Sequence, residues 1–195
     1  MRTLFCALLV VLMASPALAG TITFDPFPGI PADVTVQYFD GGLTGPLATL
    51  PTPNAEALTS TLSAIPGGGN ALLTYPYGVL FTFNSSQNFV KMVGNDFGGN
   101  PVQDNEVVHL TAFDSGGSLI GHSTFAGPWG DPDLKPVSFS GSDIKYAAFT
   151  WEVDLGYYAV DNVEYTSAVP LPGTLMLLNS GLLVLGAVSW RRRCA

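Results

Sequence analysis

The sequence predicts an all-β protein, an antiparallel β-sandwich of the jelly-roll kind. Three observations predict it. From residue 71 onward, short β-branched and aromatic runs recur at intervals near ten residues, each closed by Gly, Pro, Asn, Asp or Ser. The body shows no sustained apolar pattern at helical spacing. Setting aside two apolar ends leaves about 150 of the 195 residues, enough for one domain with a proper core.

The elements follow in order. Ile22, Thr23 and Phe24 predict a short opening strand. Residues 35–39 form a second β-rich run, closed by Asp40-Gly41-Gly42. Residues 45–69 are rich in Pro, Thr, Ser and Gly and read mostly as loop, with Asn54 placed to cap a short helix over 55–58. A loop this long in a compact domain is either a mobile flap or partly structured. Residues 79–83 put Phe81 and Phe83 on one strand face, and 88–93 follow. Residues 106–113 and 118–125 flank Asp114-Ser115-Gly116-Gly117, a hairpin turn. Residues 136–140, 144–151 and 157–165 complete a set of about ten short strands. No internal repeat and no heptad pattern is visible.

The two ends differ from the body. At the start, Arg2 precedes an apolar run over 4–14, and Ala17-Leu18-Ala19 is a small-x-small cleavage site. That is the pattern of a secretory signal peptide, with cleavage by signal peptidase expected after Ala19. Cys6 lies inside the apolar run, so it is not a lipoprotein cysteine. At the other end, residues 174–190 carry no charged side chain, and Arg191, Arg192 and Arg193 follow directly. Seventeen helical residues reach about 25 Å, near the short end of what crosses a bilayer core. The arginines then belong on the cytoplasmic side, which agrees in orientation with export of the body. Pro170 and Pro172 forbid helix just upstream and make a stiff, extended approach.

This tail resembles the PEP-CTERM sorting signals of Gram-negative bacteria, in the variant that opens Val-Pro-Leu-Pro. Val169, Pro170, Leu171 and Pro172 match that variant position by position, with Gly173 where alanine is more usual. The resemblance implies recognition by an exosortase-like enzyme and removal of the tail. The precursor would sit in the inner membrane, and the remainder would reach the cell surface or the extracellular matrix. A permanent membrane anchor is the alternative. The expected organisation is a signal peptide at 1–19, a β-sandwich at 20–168 and a sorting tail at 169–195. That tail comprises the motif, a membrane helix at 174–190 and a basic end at 191–193.

The body is also similar to the jelly-roll domains that commonly precede this tail. The shared features are Ile22-Thr23-Phe24-Asp25, Pro53-Asn54-Ala55, Gly94-Asn95-Asp96-Phe97-Gly98, the stretch 110–117 and Val160-Asp161-Asn162-Val163. That likeness implies a fold akin to galactose-binding-like and carbohydrate-binding modules.

Charge narrows the function classes. Between Gly20 and Ala168, Lys91, Lys135 and Lys145 stand against all fifteen carboxylates of the chain, a net charge of −12. Nucleic acid, which needs a basic surface, is excluded as a partner. Both cysteines, Cys6 and Cys194, lie in the ends, so the body has no disulfide. No nucleophile elbow, metalloprotease helix, phosphate loop or dinucleotide fingerprint occurs, and the expectation is a non-enzyme.

Three candidate sites remain. Calcium takes six to eight oxygens from carboxylates and carbonyls. Asp25, after the first strand, and Asp161, in the last, would converge if those strands meet, and Asp96 in the 94–99 loop would add a third carboxylate. A histidine pair is the second. If Phe113 faces Ser118, then His109 directly opposes His122, with β-carbons about 5 Å apart, close enough to share a transition metal. Ordinary cross-strand packing is the simpler outcome. Sugar binding is the third. Trp129, in Gly127-Pro128-Trp129-Gly130, is the leading aromatic for stacking on a pyranose ring, followed by Tyr75 and Tyr77; Trp151 reads as core. The expected role is a structural or binding component of the cell surface or exopolysaccharide matrix. A carbohydrate-binding module is the runner-up.

Overall fold

The computed structural model describes residues 19–24, 29–42, 44–54, 58, 61–62, 71–74, 77–97, 105–128, 135–152 and 157–167. The stretch from Ala19 to Ala168 groups as one compact unit. The described part is all-β and antiparallel. Its strands are β1 (Ala19–Ile22), β2 (Val34–Phe39), β3 (Thr61–Leu62), β4 (Ala71–Leu73), β5 (Gly78–Phe97), β6 (Asn105–Phe113), β7 (Leu119–Pro128), β8 (Lys135–Glu152) and β9 (Tyr157–Ser167). The expected runs at 79–83 and 88–93 are therefore one strand, and so are those at 136–140 and 144–151. In the region read as loop, β3 pairs with β4. The expected helix over 55–58 falls mostly outside the described residues.

β5 and β8 are long because they pass from one layer of a sandwich to the other. The first half of β5 lies between β2 and the last third of β8, with Phe81 opposite both Val36 and Ala147. Its second half lies between the start of β8 and β9, with Val90 opposite both Phe139 and Tyr165. One layer is thus β2-β5-β8-β6-β7. The other is built on β9, β5 and β8, with β4 and β1 along the far side of β9.

The bend is a polar corner. Register shifts fall on either side of Gln87, and Asp143 takes a left-handed φ of 64°. Ser86 Oγ donates to Asp143 Oδ1, and Ser115 Oγ donates to Asp143 Oδ2 at 3.1 Å. These two hydroxyls hold the Asp143 carboxyl below its ordinary range. Lys145 Nζ donates to the Asn84 carbonyl at 2.9 Å. Asn, Ser, Gly and Asp are turn formers by propensity. Here they bend strands rather than reverse them, because bulges turn a strand without ending its ladder.

The core lies between the layers. In β5, Val79, Phe81 and Phe83 point inward, and after the shift Val90 and Met92 do. Phe149 and Trp151 of β8, with ring centroids 5.7 Å apart, join the same core, Phe149 beside Val79 across the β5–β8 ladder, and Trp151 is core as expected. The layers meet closely: a β-carbon at Gly94 in one would lie 3.0 Å from the Phe149 ring and 3.1 Å from Val108 in the other. In β9, Asn162 at φ 46° forms a bulge that lets both Val160 and Val163 reach the core.

Candidate functional site

The outer face of the five-stranded layer holds the densest set of buried polar side chains among the described residues. His109, Thr111 and Thr150 are all buried there, on the face opposite Leu110 and Phe149. Buried polar atoms need partners, and a strap over residues 40–54 supplies them. The backbone N–H of Trp151 donates to the Gly42 carbonyl at 2.9 Å. Thr150 Oγ1 donates to the Gly45 carbonyl at 2.6 Å, and Thr111 Oγ1 accepts from the Leu47 N–H at 3.2 Å. Leu47 and Leu50 then close a second apolar cluster over Phe39, Leu80, Phe113 and Ala148. Pro53 bridges to Phe39, and the Asn54 N–H donates to the Tyr38 carbonyl at 2.9 Å. The first part of the expected flap is therefore tied down.

Gly45 shows how close the strap lies. Its φ is 74°, and a β-carbon there would meet Glu152 Oε1 at 2.4 Å. That carboxylate oxygen is 3.3 Å from His109 Nε2, and His109 Nδ1 is 2.9 Å from Thr124 Oγ1. One imidazole thus ties β6 to β7 and β8. Burial pulls His109 below the usual histidine value; the Glu152 carboxylate opposes that shift and His122 reinforces it. Carboxylate and hydroxyl flank the imidazole, but only its Nδ1 contact has hydrogen-bond geometry, and the ring is buried, the setting of a structural tie.

The histidine pair is displaced from the expected register. Asp114 Oδ1 accepts from the N–H groups of Gly116 and Ser118, both at 2.8 Å, so the turn runs to Ser118 and Phe113 faces Leu119. A further shift at Ala112/Phe113 sets His109 opposite Thr124 and His122 opposite Thr111. The two histidines share a face as diagonal neighbours. Among the described residues, no group of three or more His, Cys, Asp or Glu side chains is arranged to hold a metal.

The calcium candidates are brought together only in part. β1 does pair with β9, Ile22 opposite Val163, so the first and last strands meet. Asp161 is buried in β9 opposite Val93, and Asn162 Nδ2 donates to its Oδ2 at 3.2 Å. Asp96 pairs with Tyr158, which sets its backbone three steps from the Val93–Asp161 pair, about 10 Å along the strands. Asp25 lies outside the described residues.

Trp129 and Tyr75 also lie outside them; the strand before Trp129 ends at Pro128, opposite Asn105. Tyr77 is half-buried, its ring centroid 5.6 Å from that of Tyr38. Ala19 opens β1 opposite Thr166. Ala17, Val169, Pro170, Leu171, Pro172, Gly173, Arg191, Arg192 and Arg193 fall outside the described residues, as does the apolar run 174–190. Among those described, no helix is long and apolar enough to cross a membrane.

Sequence reasoning missed the strap anchors. Their signal was present: Thr111 two places after His109, and Thr150 between Phe149 and Trp151, are polar residues set in otherwise apolar strand segments.

No family model matches the chain, and no curated protein matches it. Several solved structures resemble it weakly. The K2 cleaved adhesin domain of Lys-gingipain is 13% identical over 76% of this chain and 99% of that one, with a TM-score of 0.43. The family 11 carbohydrate-binding module of cellulosomal cellulase Lic26A-Cel5E of Clostridium thermocellum is 12% identical over 76% and 95%, with a TM-score of 0.35. The enzymatically active domain of bacteriophage CBA120 tailspike protein 4 is 13% identical over 69% of this chain, with a TM-score of 0.35; the chain spans 19% of its length. Likeness at this level assigns no ligand and no activity.

Proposed function

We propose that this chain is an exported, non-enzymatic jelly-roll sandwich, sorted by its C-terminal tail to the cell surface or exopolysaccharide matrix, where it serves as a structural or binding component. One observation carries the reading. A signal-like segment at 1–19 and a Val-Pro-Leu-Pro, apolar, triple-arginine tail at 169–193 flank a single cysteine-free body of net charge −12. One feature of the structure supports it: apart from Ala19 at its first position, the ladder of the body runs over 20–167, between the two flanking segments. Signal peptidase and an exosortase-like enzyme are the processing partners, and the polysaccharide of the matrix is the ligand class. A structural calcium at the β1–β9 seam belongs to the same reading.

Intact mass and fractionation of the natively expressed protein test it. The expected form is found at the surface or in the medium, begins at Gly20 and ends between Val169 and Gly173. A form of full C-terminal mass retained in the inner membrane would make the tail a permanent anchor and move the body's work to the periplasmic face.

A further inference from the structure

We infer that Asp33 is the receiving group for the N-terminus that signal removal creates: cleavage after Ala19 leaves Gly20 with a free α-ammonium, and the Asp33 carboxylate beside Tyr165 pairs with it. The pairing presupposes the signal reading of residues 1–19. Hydrolysis of the Ala19–Gly20 amide takes up one water. Ala19 gains a carboxylate that leaves with the signal, and Gly20 gains an amine that is mostly protonated at neutral pH. Gly20 is then the first residue of β1, with Thr21 opposite Glu164 and Ile22 opposite Val163 to hold it on β9. The space a Gly20 side chain would take is filled by the Tyr165 ring and hydroxyl. That hydroxyl donates to the Asp33 carboxylate, whose oxygens lie at 3.2 and 3.3 Å. Added end to end, these separations place the Gly20 nitrogen within about 8 Å of the Asp33 carboxylate. That is no longer than the screening length of about 8 Å at physiological salt, so the two charges attract. A terminal glycine, free of side-chain restraint, turns its ammonium toward that charge.

Asp33 is fixed in place and lacks a cation. Its carbonyl accepts from the Asn84 N–H at 2.8 Å, and the Val34 N–H donates to the Pro31 carbonyl at 3.1 Å, so the turn into β2 sets its position. The residue is half-buried. Among the described residues, its carboxylate meets the Tyr165 hydroxyl and no cationic side chain. Partial burial raises the cost of an uncompensated charge. The lysines whose side chains are described are committed elsewhere, Lys91 to Glu164 at 2.7 Å and Lys145 to the Asn84 carbonyl at 2.9 Å. The Lys91 pair also occupies the competing carboxylate, because Glu164 is the neighbour of Tyr165 in β9. In the uncut chain the Gly20 nitrogen is a neutral amide. Cleavage therefore supplies a positive charge where the fold has placed a negative one.

The test compares the exported protein with the intact precursor made in a host that does not export it, each as wild type and as Asp33→Asn, all in the same detergent. N-terminal sequencing and thermal melts at neutral pH are read on all four. The exported form is expected to begin at Gly20. Asp33→Asn is expected to lower its melting temperature by about 2–4 °C more than it lowers that of the precursor, since the precursor has no ammonium at Gly20. Loss of the Tyr165 contact is common to both forms and cancels in the comparison. Acetylating the α-amine of the exported wild type should reproduce the extra loss and leave exported Asp33→Asn unchanged. A start at Gly20 with equal losses in the two forms, or an acetylation loss that persists in Asp33→Asn, would overturn the pairing alone. Any other first residue would overturn the signal reading and the pairing with it.

Discussion

Gly20 and Tyr165 stand opposite each other across β1 and β9, and the tyrosine ring fills the space a side chain at position 20 would need. A β-carbon on Gly20 would lie 2.1 Å from Tyr165 Cζ. The ring is held from two other sides. Its centroid is 5.1 Å from that of Phe83, and its hydroxyl is within 3.2 and 3.3 Å of the two Asp33 carboxylate oxygens. Burial and the nearby Asp33 push the Tyr165 hydroxyl up to about 12.

Gly20→Ala is therefore expected to destabilise the body by about 1–3 kcal/mol, the usual cost of overpacking. The double variant Gly20→Ala/Tyr165→Leu should recover part of that loss, because removing the ring makes room. Thermal melts of the two single variants and the double would check it; purely additive losses would contradict the contact.

The strap over residues 40–54 hangs on two threonines. Thr150→Val keeps the shape but removes the hydroxyl that reaches Gly45, and Thr111→Val does the same for Leu47. Each is expected to cost about 1–2 kcal/mol, since a buried backbone group is left without its partner. Hydrogen exchange should quicken at Leu47 in Thr111→Val. Protection there equal to wild type would show that Leu47 and Leu50 alone hold the strap.

His109 sets a pH dependence with a definite sign. Its folded value lies below the ordinary 6.5, chiefly through burial. As pH falls below about 6.5, the unfolded chain takes up a proton that the folded protein resists, so stability drops. It is full well above 6.5 and is lost progressively as pH falls through the lowered folded value. His109→Gln should flatten that part of the curve, and melting temperatures across the window for both proteins would test it. Parallel curves would mean that His109 does not control the slope.

Sugar recognition by Trp129 separates the two binding roles. If the body is a carbohydrate-binding module, retention on the exopolysaccharide in affinity electrophoresis falls by roughly tenfold or more in Trp129→Ala, as loss of an anchoring aromatic at a hot spot does. A purely structural matrix role predicts no change in that variant.

Calcium at the β1–β9 seam is expected to raise the melting temperature, and the increment should vanish in Asp161→Asn and Asp25→Asn. Asp96→Asn should keep it, because the register sets Asp96 three steps from the Val93–Asp161 pair. Coincident melts in calcium and in chelator would remove the ion from the reading.

The all-β class, most strand positions from residue 71 onward, the Asp114 turn, the shared face of Phe81 and Phe83 and the core placement of Trp151 were legible in the sequence by itself. Each depends on a residue and its near neighbours: β propensity, two-residue alternation and turn chemistry act over a few positions. The pattern at the ends, an uncharged run beside arginines, is likewise a matter of near neighbours, and those segments lie outside the described residues. Tertiary structure alone decided the rest. Asn84 to Gln87 and Gly141 to Asp143 look like turns, yet they bend β5 and β8 between layers because each strand keeps partners on both sides of its bend. One extra turn residue and one register shift moved His109 from His122 to Thr124, and register is a property of the pair of strands. Thr111 and Thr150 became anchors only when a segment more than sixty residues earlier in the chain folded across them.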